Sequence, residues 1–335
     1  MARIVAVLVS VALGIGVFVG SGSAAPGKTW KVAIGADSPD HAVQAHDYYP
    51  RSITVDAGDS ITFTMAAVAD HTVTFLSGAK RLPLEEPQKD GRLRFPSNVA
   101  FPQGGPTYGG TGLASSGLLS GLGKSWTVTF TKPGRYRYEC LLHPAQVGTV
   151  VVQAAGTPYP KSQADYDRLA AQARTQALAA GAKLRAATRA TASKGAHGTV
   201  YTAPMVGNFA QRLSLYRFGS DTLTIKAGDT VKWVITDLNE IHTVTFAGSD
   251  ALPDFIVPSP KAQGPPDLYY NPKVVTPAGG PTHTGAGFYN SGILIPVNPP
   301  GPTTYSLTFT KPGTFTYWCV VHIPEGMRGT VVVTP

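Results

Sequence analysis

Cys319, His322 and Met327 stand close together near the end of the chain, in Phe315-Thr316-Tyr317-Trp318-Cys319-Val320-Val321-His322-Ile323-Pro324-Glu325-Gly326-Met327. A thiolate, an imidazole and a thioether offer two sulfurs and a nitrogen to a metal. The run opens as an alternating strand with Phe315, Tyr317 and Cys319 on one face. The donors therefore leave from the end of a strand. A second imidazole, His242, lies far upstream in another alternating run, Ile241-His242-Thr243-Val244-Thr245-Phe246. One cysteine, two histidines and one methionine form the ligand set of a blue-copper electron-transfer site.

This pattern resembles the cupredoxin family, the plastocyanin-like blue (type 1) copper proteins. In that family one histidine lies on an early strand. The other three ligands, spaced Cys-x2-His-x4-Met, lie on and beyond the last-but-one strand. The flanking Lys311-Pro312-Gly313 turn and Gly329-Thr330-Val331-Val332-Val333 strand agree with it. The resemblance implies that His242, Cys319, His322 and Met327 hold copper. It also implies a rigid β scaffold that keeps the site nearly unchanged between Cu(I) and Cu(II). The electron would leave through the histidine nearest solvent, which is His322 here and His143 in the first half.

The same pattern occurs twice. Ile53 and Val55 match Leu223 and Ile225, and Ala57-Gly58-Asp59 matches Ala227-Gly228-Asp229. His71, Val73 and Phe75 match His242, Val244 and Phe246. Trp126, Val128 and Phe130 match Tyr305, Leu307 and Phe309. Ser116-Gly117-Leu118-Leu119 is echoed by Ser291-Gly292-Ile293-Leu294. Short alternating strands between Gly/Pro turns predict sandwiches. The expected fold is all-β, two Greek-key β-sandwiches of cupredoxin type joined by a helical linker. The expected boundaries are a leader over 1–25, a first domain over 27–155, a linker over 156–197 and a second domain over 198–335. The loop from Ser77 to Lys124 should start and finish at the metal-bearing end, to shield the metal or to form a docking surface.

In the first repeat His71, Cys140 and His143 match the family positions. The methionine is missing, for Gly148 lies five residues after His143. Counting back from the shared Gly-Thr-Val-Val-Val strand makes this ligand loop two residues shorter and places Gln146 where Met327 falls. Glutamine replaces the weak axial methionine in some blue-copper sites. Gln146 is thus the candidate axial ligand. The alternatives are a solvent-facing glutamine, with the site closed by a backbone oxygen or left three-coordinate, and a first domain that holds no copper. An oxygen donor should favour Cu(II) and lower the potential of the first site.

Ser162 to Thr191 turns to Ala, Gln, Arg and Lys, with Tyr166, Ala170, Ala173, Ala177 and Leu184 near one helical face. This predicts a spacer helix with a thin apolar stripe, which Gly181 should bend or weaken. At the N-terminus, Ile4 to Val19 is an apolar run followed by Gly20-Ser21-Gly22-Ser23-Ala24-Ala25-Pro26. It reads as a secretory signal cleaved after Ala24, with an uncleaved anchor as the competing reading. The expected location is outside the cytoplasm.

Charged residues make up only 14% of the 335, while Gly 37 and Pro 28 suit a turn-rich β protein. The net charge of +8 suits an acidic redox partner or an anionic surface. No basic patch interleaved with aromatics points to nucleic acid, and nothing implies a substrate pocket. Multicopper-oxidase chemistry would need more histidines than the 8 present. Of the remaining ones, His41 and His46 could form an adventitious copper site, a role we discount. His283 should lie in a loop near the metal end, and His197 at an exposed linker exit. The expected function is an exported, non-enzymatic carrier of single electrons. The alternative is a copper-binding or copper-delivery protein with incidental redox activity.

Overall fold

Strand Ser60–Met65 shows how alternation builds the fold: Ile61, Phe63 and Met65 are buried, and the residues between them are only half-buried. Successive side chains of a strand point to opposite faces, so one face joins a core. The computed structural model describes residues 27–296 and 301–335. The expected leader lies outside the described residues.

Around Ser60–Met65 one sheet is built from Val43–Tyr49, Thr29–Asp37, Ser125–Phe130 and Thr107–Tyr108. It faces a second sheet of Ser52–Asp56, Val147–Gln153, Gly134–Glu139, Thr74–Phe75 and Ala114–Ser115. The second half repeats both layers. Thr191–Lys194, Thr199–Met205, Thr230–Ile235, Thr304–Phe309 and Thr282–His283 form one sheet. Thr222–Lys226, Arg328–Thr334, Gly313–Trp318, Thr245–Phe246 and Tyr289–Asn290 form the other. The protein is two β-sandwiches joined by a helix. Strand Thr191–Lys194, in the stretch expected to be linker, pairs with Thr199–Met205 as an edge strand of the second sandwich.

The two sandwiches share backbone pairing. Leu213, Ser214 and Leu215 pair antiparallel with Ala45, Gln44 and Val43, which extends the first half's sheet into the second half. The long loops meet as well. Leu93–Phe95 pairs with Asp267–Tyr270 in a four-stranded sheet that draws strands from both halves. Phe95, Val99 and Ala100 then bury against Tyr270 and Leu141, the residue after Cys140. The loop from Ser77 to Lys124 therefore packs behind the first ligand loop and docks the other half of the chain.

The helix is Gln163–Ala187. Ser162 caps it: the Asp165 N–H donates to Ser162 Oγ at 3.2 Å, and the Ser162 N–H donates to Asp165 Oδ2 at 3.1 Å. Tyr166 and Ala170 are buried as the apolar stripe predicts. The helix continues through Gly181 to Ala187, and Gly181 is buried where a β-carbon would lie 2.1 Å from Val43 Cγ1. Glycine is there for close approach. Gly181→Ala is expected to destabilise the protein by about 1–3 kcal/mol through overpacking, although alanine gains about 1 kcal/mol in helix propensity. Urea unfolding checks this, and equal or greater stability would show that Val43 yields freely.

Candidate metal centres

Each cysteine is brought to its distant histidine by one backbone pairing. Glu139 pairs with Thr74 in the first half, and Trp318 pairs with Thr245 in the second. The cysteine follows the first residue of each pair, and the histidine stands three residues before the second. The histidines are pinned from the other side. His71 exchanges backbone hydrogen bonds with Leu119 at 3.2 and 2.8 Å, and His242 does so with Leu294 at 3.1 and 2.8 Å. Ser116 Oγ accepts from the Val73 N–H at 2.9 Å, and Ser291 Oγ accepts from the Val244 N–H at 2.8 Å. The repeated Ser-Gly-x-Leu segments thus hold the first imidazole of each set.

In the second half, Cys319 Sγ lies 3.3 Å from His322 Nδ1 and 3.7 Å from His242 Nδ1, and the two nitrogens are 3.1 Å apart. In the first half, Cys140 Sγ lies 3.4 Å from His143 Nδ1 and 3.8 Å from His71 Nδ1. Donors that each sit about 2.0–2.3 Å from one ion are separated by about this much. Each sulfur also accepts a backbone N–H, from Thr72 at 3.4 Å and from Thr243 at 3.3 Å. The threonine hydroxyls accept the N–H groups of Leu141 and Val320, each at 2.8 Å, which fixes the turn after each cysteine. Burial would raise both thiols, but the imidazoles of His143 and His322 outweigh it and hold them well below the usual thiol range. The thiolate is the form that binds a metal.

Gln146 and Met327 occupy equivalent places. The Cys140 N–H donates to Gln146 O at 3.0 Å, as the Cys319 N–H does to Met327 O. The Gln146 N–H donates to His143 O at 3.0 Å, as the Met327 N–H does to His322 O. Both side chains are fully buried, so Gln146 does not face solvent. Its Nε2 donates to Asp47 O at 3.2 Å, while Oε1 is buried with no partner. A buried acceptor without a donor fits a metal, which would satisfy it. Soft sulfur and imidazole donors, held with an unpaired buried oxygen in the first set, fit copper in both sets.

One expectation needs correction, and the remaining histidines take places of their own. His143 and His322 do not reach solvent: they are only 3% and 4% exposed, and their Nε2 atoms turn toward Glu240 in the interface. His41 and His46 do not form a site together. His41 Nδ1 lies 2.8 Å from Asp37 Oδ2, whereas His46 is fully buried with its ring stacked on His143 at 4.1 Å and 15°. The ring nitrogens of His46, His71 and His143 fall within 4.8 Å of one another. Parallel stacking nevertheless aims the in-plane lone pairs of His46 past an ion held by His143. Tyr216 stacks on His322 in the same way, at 4.2 Å and 19°, and carries no comparable donor. His46 is a stacking partner. His283 is no metal residue either. It packs among Phe246, Tyr289, Phe309 and Phe315, and Phe315 is about 13 Å along the strand from Cys319. His197 is exposed, as expected.

Sequence reasoning missed Glu240 and discounted His46. A signal for His46 existed: with Asp59 set against Asp229, counting back residue for residue puts His46 opposite Tyr216.

A model of the copper-binding plastocyanin/azurin family matches residues 38–153 and 292–334. The match takes in both halves of the chain, consistent with two cupredoxin-type domains in tandem. Among similar solved structures is oxidized plastocyanin from Dryopteris crassirhizoma, at 22% identity over 37% of this chain and 99% of that one, TM-score 0.23. Another is a purple cupredoxin from Nitrosopumilus maritimus, at 19% identity over 37% and 99%, TM-score 0.24. An oxidized amicyanin variant matches at 19% identity over 44% and 99%, TM-score 0.23. The protein is a copper-binding, cupredoxin-type protein.

Proposed function

We propose that the protein carries single electrons through two type 1 copper sites, one per sandwich, and performs no substrate chemistry. The second site is His242, Cys319, His322 and Met327, and the first is His71, Cys140, His143 and Gln146. The observation that carries this reading is the burial of all eight side chains on a β framework that hydrogen-bonds each cysteine and pins each first histidine. Copper supplies the change of oxidation state when bound. The chain holds the donors still, which keeps rearrangement small. A delivery protein would need ligands open to a recipient, and these are not.

The partners are redox proteins, and the net charge of +8 suits acidic ones. The N-terminal run supports export, with the sandwiches lying outside the cytoplasm and the leader either cleaved or kept as an anchor. No helix among the described residues is long and apolar enough to cross a membrane. The linker is assigned to 156–197 and the domains to 27–155 and 198–335, with the edge strand Thr191–Lys194 contributed by the linker.

Redox titration of the copper-loaded chain tests the reading. Two reversible one-electron couples are expected, the lower at the first site because an amide oxygen stabilises Cu(II). Gln146→Met should raise that couple toward the second, since thioether favours Cu(I). A first site that already titrates above the second would refute the oxygen ligand. The absence of any reversible couple would refute the carrier.

A further inference from the structure

Glu240 has no acidic counterpart in the first half: counted back from the first histidine of each set, it falls opposite Ala69. Its buried carboxylate lies between the two donor sets. Oε1 accepts from the Tyr216 hydroxyl at 2.7 Å, lies 2.8 Å from His143 Nε2 and stands 3.4 Å from His46 Nε2. Oε2 stands 3.4 Å from His322 Nε2. Each imidazole turns Nδ1 to its own cysteine and Nε2 to this one carboxylate. A carboxylate on the outer nitrogen of a ligating histidine orients the ring and strengthens it as a donor. Here one carboxylate serves two histidines from two domains. His46 and Tyr216 cover the faces of the same two rings.

We propose that Glu240 is a shared positioning residue that couples the two centres: it fixes His143 and His322 across the interface, favours the more oxidised state at both, and completes a short route for an electron between them. The proposal rests on reading both donor sets as redox copper sites. In the exchange, one centre loses the electron that the other gains. Glu240 keeps its charge, no proton moves and no covalent bond breaks. The two histidines that resemblance assigns to electron exit are thereby turned inward, toward each other.

The test uses the full chain loaded with Cu(II). Glu240→Gln preserves volume and removes the charge. Both potentials should rise, each by about a tenfold change in the Cu(II)/Cu(I) preference, roughly 59 mV. Exchange between the sites after rapid reduction of one should slow at least about tenfold. Tyr216→Phe should act with the opposite sign: with no hydroxyl on Oε1, the carboxylate charge is less offset and both potentials fall. A merely structural role would not reverse the sign. A shift confined to the second site, or no shift, overturns the proposal. If Glu240→Gln does not fold, Tyr216→Phe decides by the same criterion. If the native chain binds copper without a sulfur-to-copper band, the redox reading fails instead. Co(II) uptake then decides whether Glu240 is shared. Glu240→Gln weakening both sites by about 10–100-fold keeps it, and weakening one alone removes it.

Discussion

Changing Cys319 to serine is expected to abolish the intense sulfur-to-copper absorption of the second site and leave that of the first, removing about half of the chain's total. Serine fits the space, and its oxygen can accept the Thr243 N–H that now reaches Cys319 Sγ at 3.3 Å. The fold should therefore survive. Serine does not supply a soft, ionised donor: its hydroxyl stays protonated where the cysteine thiol is held down by His322 and His242. The first site keeps its colour because Cys140 has its own imidazoles, His143 and His71. Copper titration followed by visible absorption checks this. An unchanged band would remove Cys319 from the metal, and loss of the whole band would leave the first domain without a redox centre.

Trp233→Ala carries the largest expected effect on stability. Trp233 is fully buried, with its ring centroid 5.1 Å from that of Tyr317 and 5.9 Å from those of Phe246 and Tyr305. Emptying a buried aromatic site costs about 3–5 kcal/mol in lost burial and residual cavity. For a unit of this size that lowers the melting temperature by about 10 °C. The damage reaches the metal, because Tyr317 precedes Cys319 by two residues and Phe246 follows His242 by four. Calorimetry of native and variant chains measures the loss, and a change under about 1 kcal/mol would show that the neighbouring rings close the gap.

The parts legible in the sequence were those set by local periodicity and by the repeat. Alternation at Val128 and Phe130, and again at Leu307 and Phe309, marks strands with one buried face, and those residues are buried. Counting from the glycine of the last strand placed Gln146 at the position of Met327, and matching backbone hydrogen bonds give the two residues the same place in the fold. Strand Val43–Tyr49 was opaque. All seven of its residues are buried, because the helix lies on it and the second half pairs with its edge. A strand covered on every side has no reason to alternate, so His46, between Gln44 and Asp47, read as an incidental histidine. Glu240 was opaque for a different reason. In Leu238-Asn239-Glu240 it looks like an ordinary loop carboxylate, and its partner His143 lies 97 residues earlier in the other sandwich. Such a contact exists only once the two halves dock, and docking depends on loop strands such as Leu93–Phe95 that lack a pattern of their own.

Adding Cu(II) stepwise to the purified, metal-depleted chain while recording its visible spectrum tests most directly whether one chain holds two sulfur-ligated copper centres. An intense sulfur-to-copper band is expected that grows until two ions are bound per chain and bleaches fully on reduction. Saturation at one ion would leave the first sandwich as scaffold, and copper uptake with no such band would contradict the electron-carrier reading altogether.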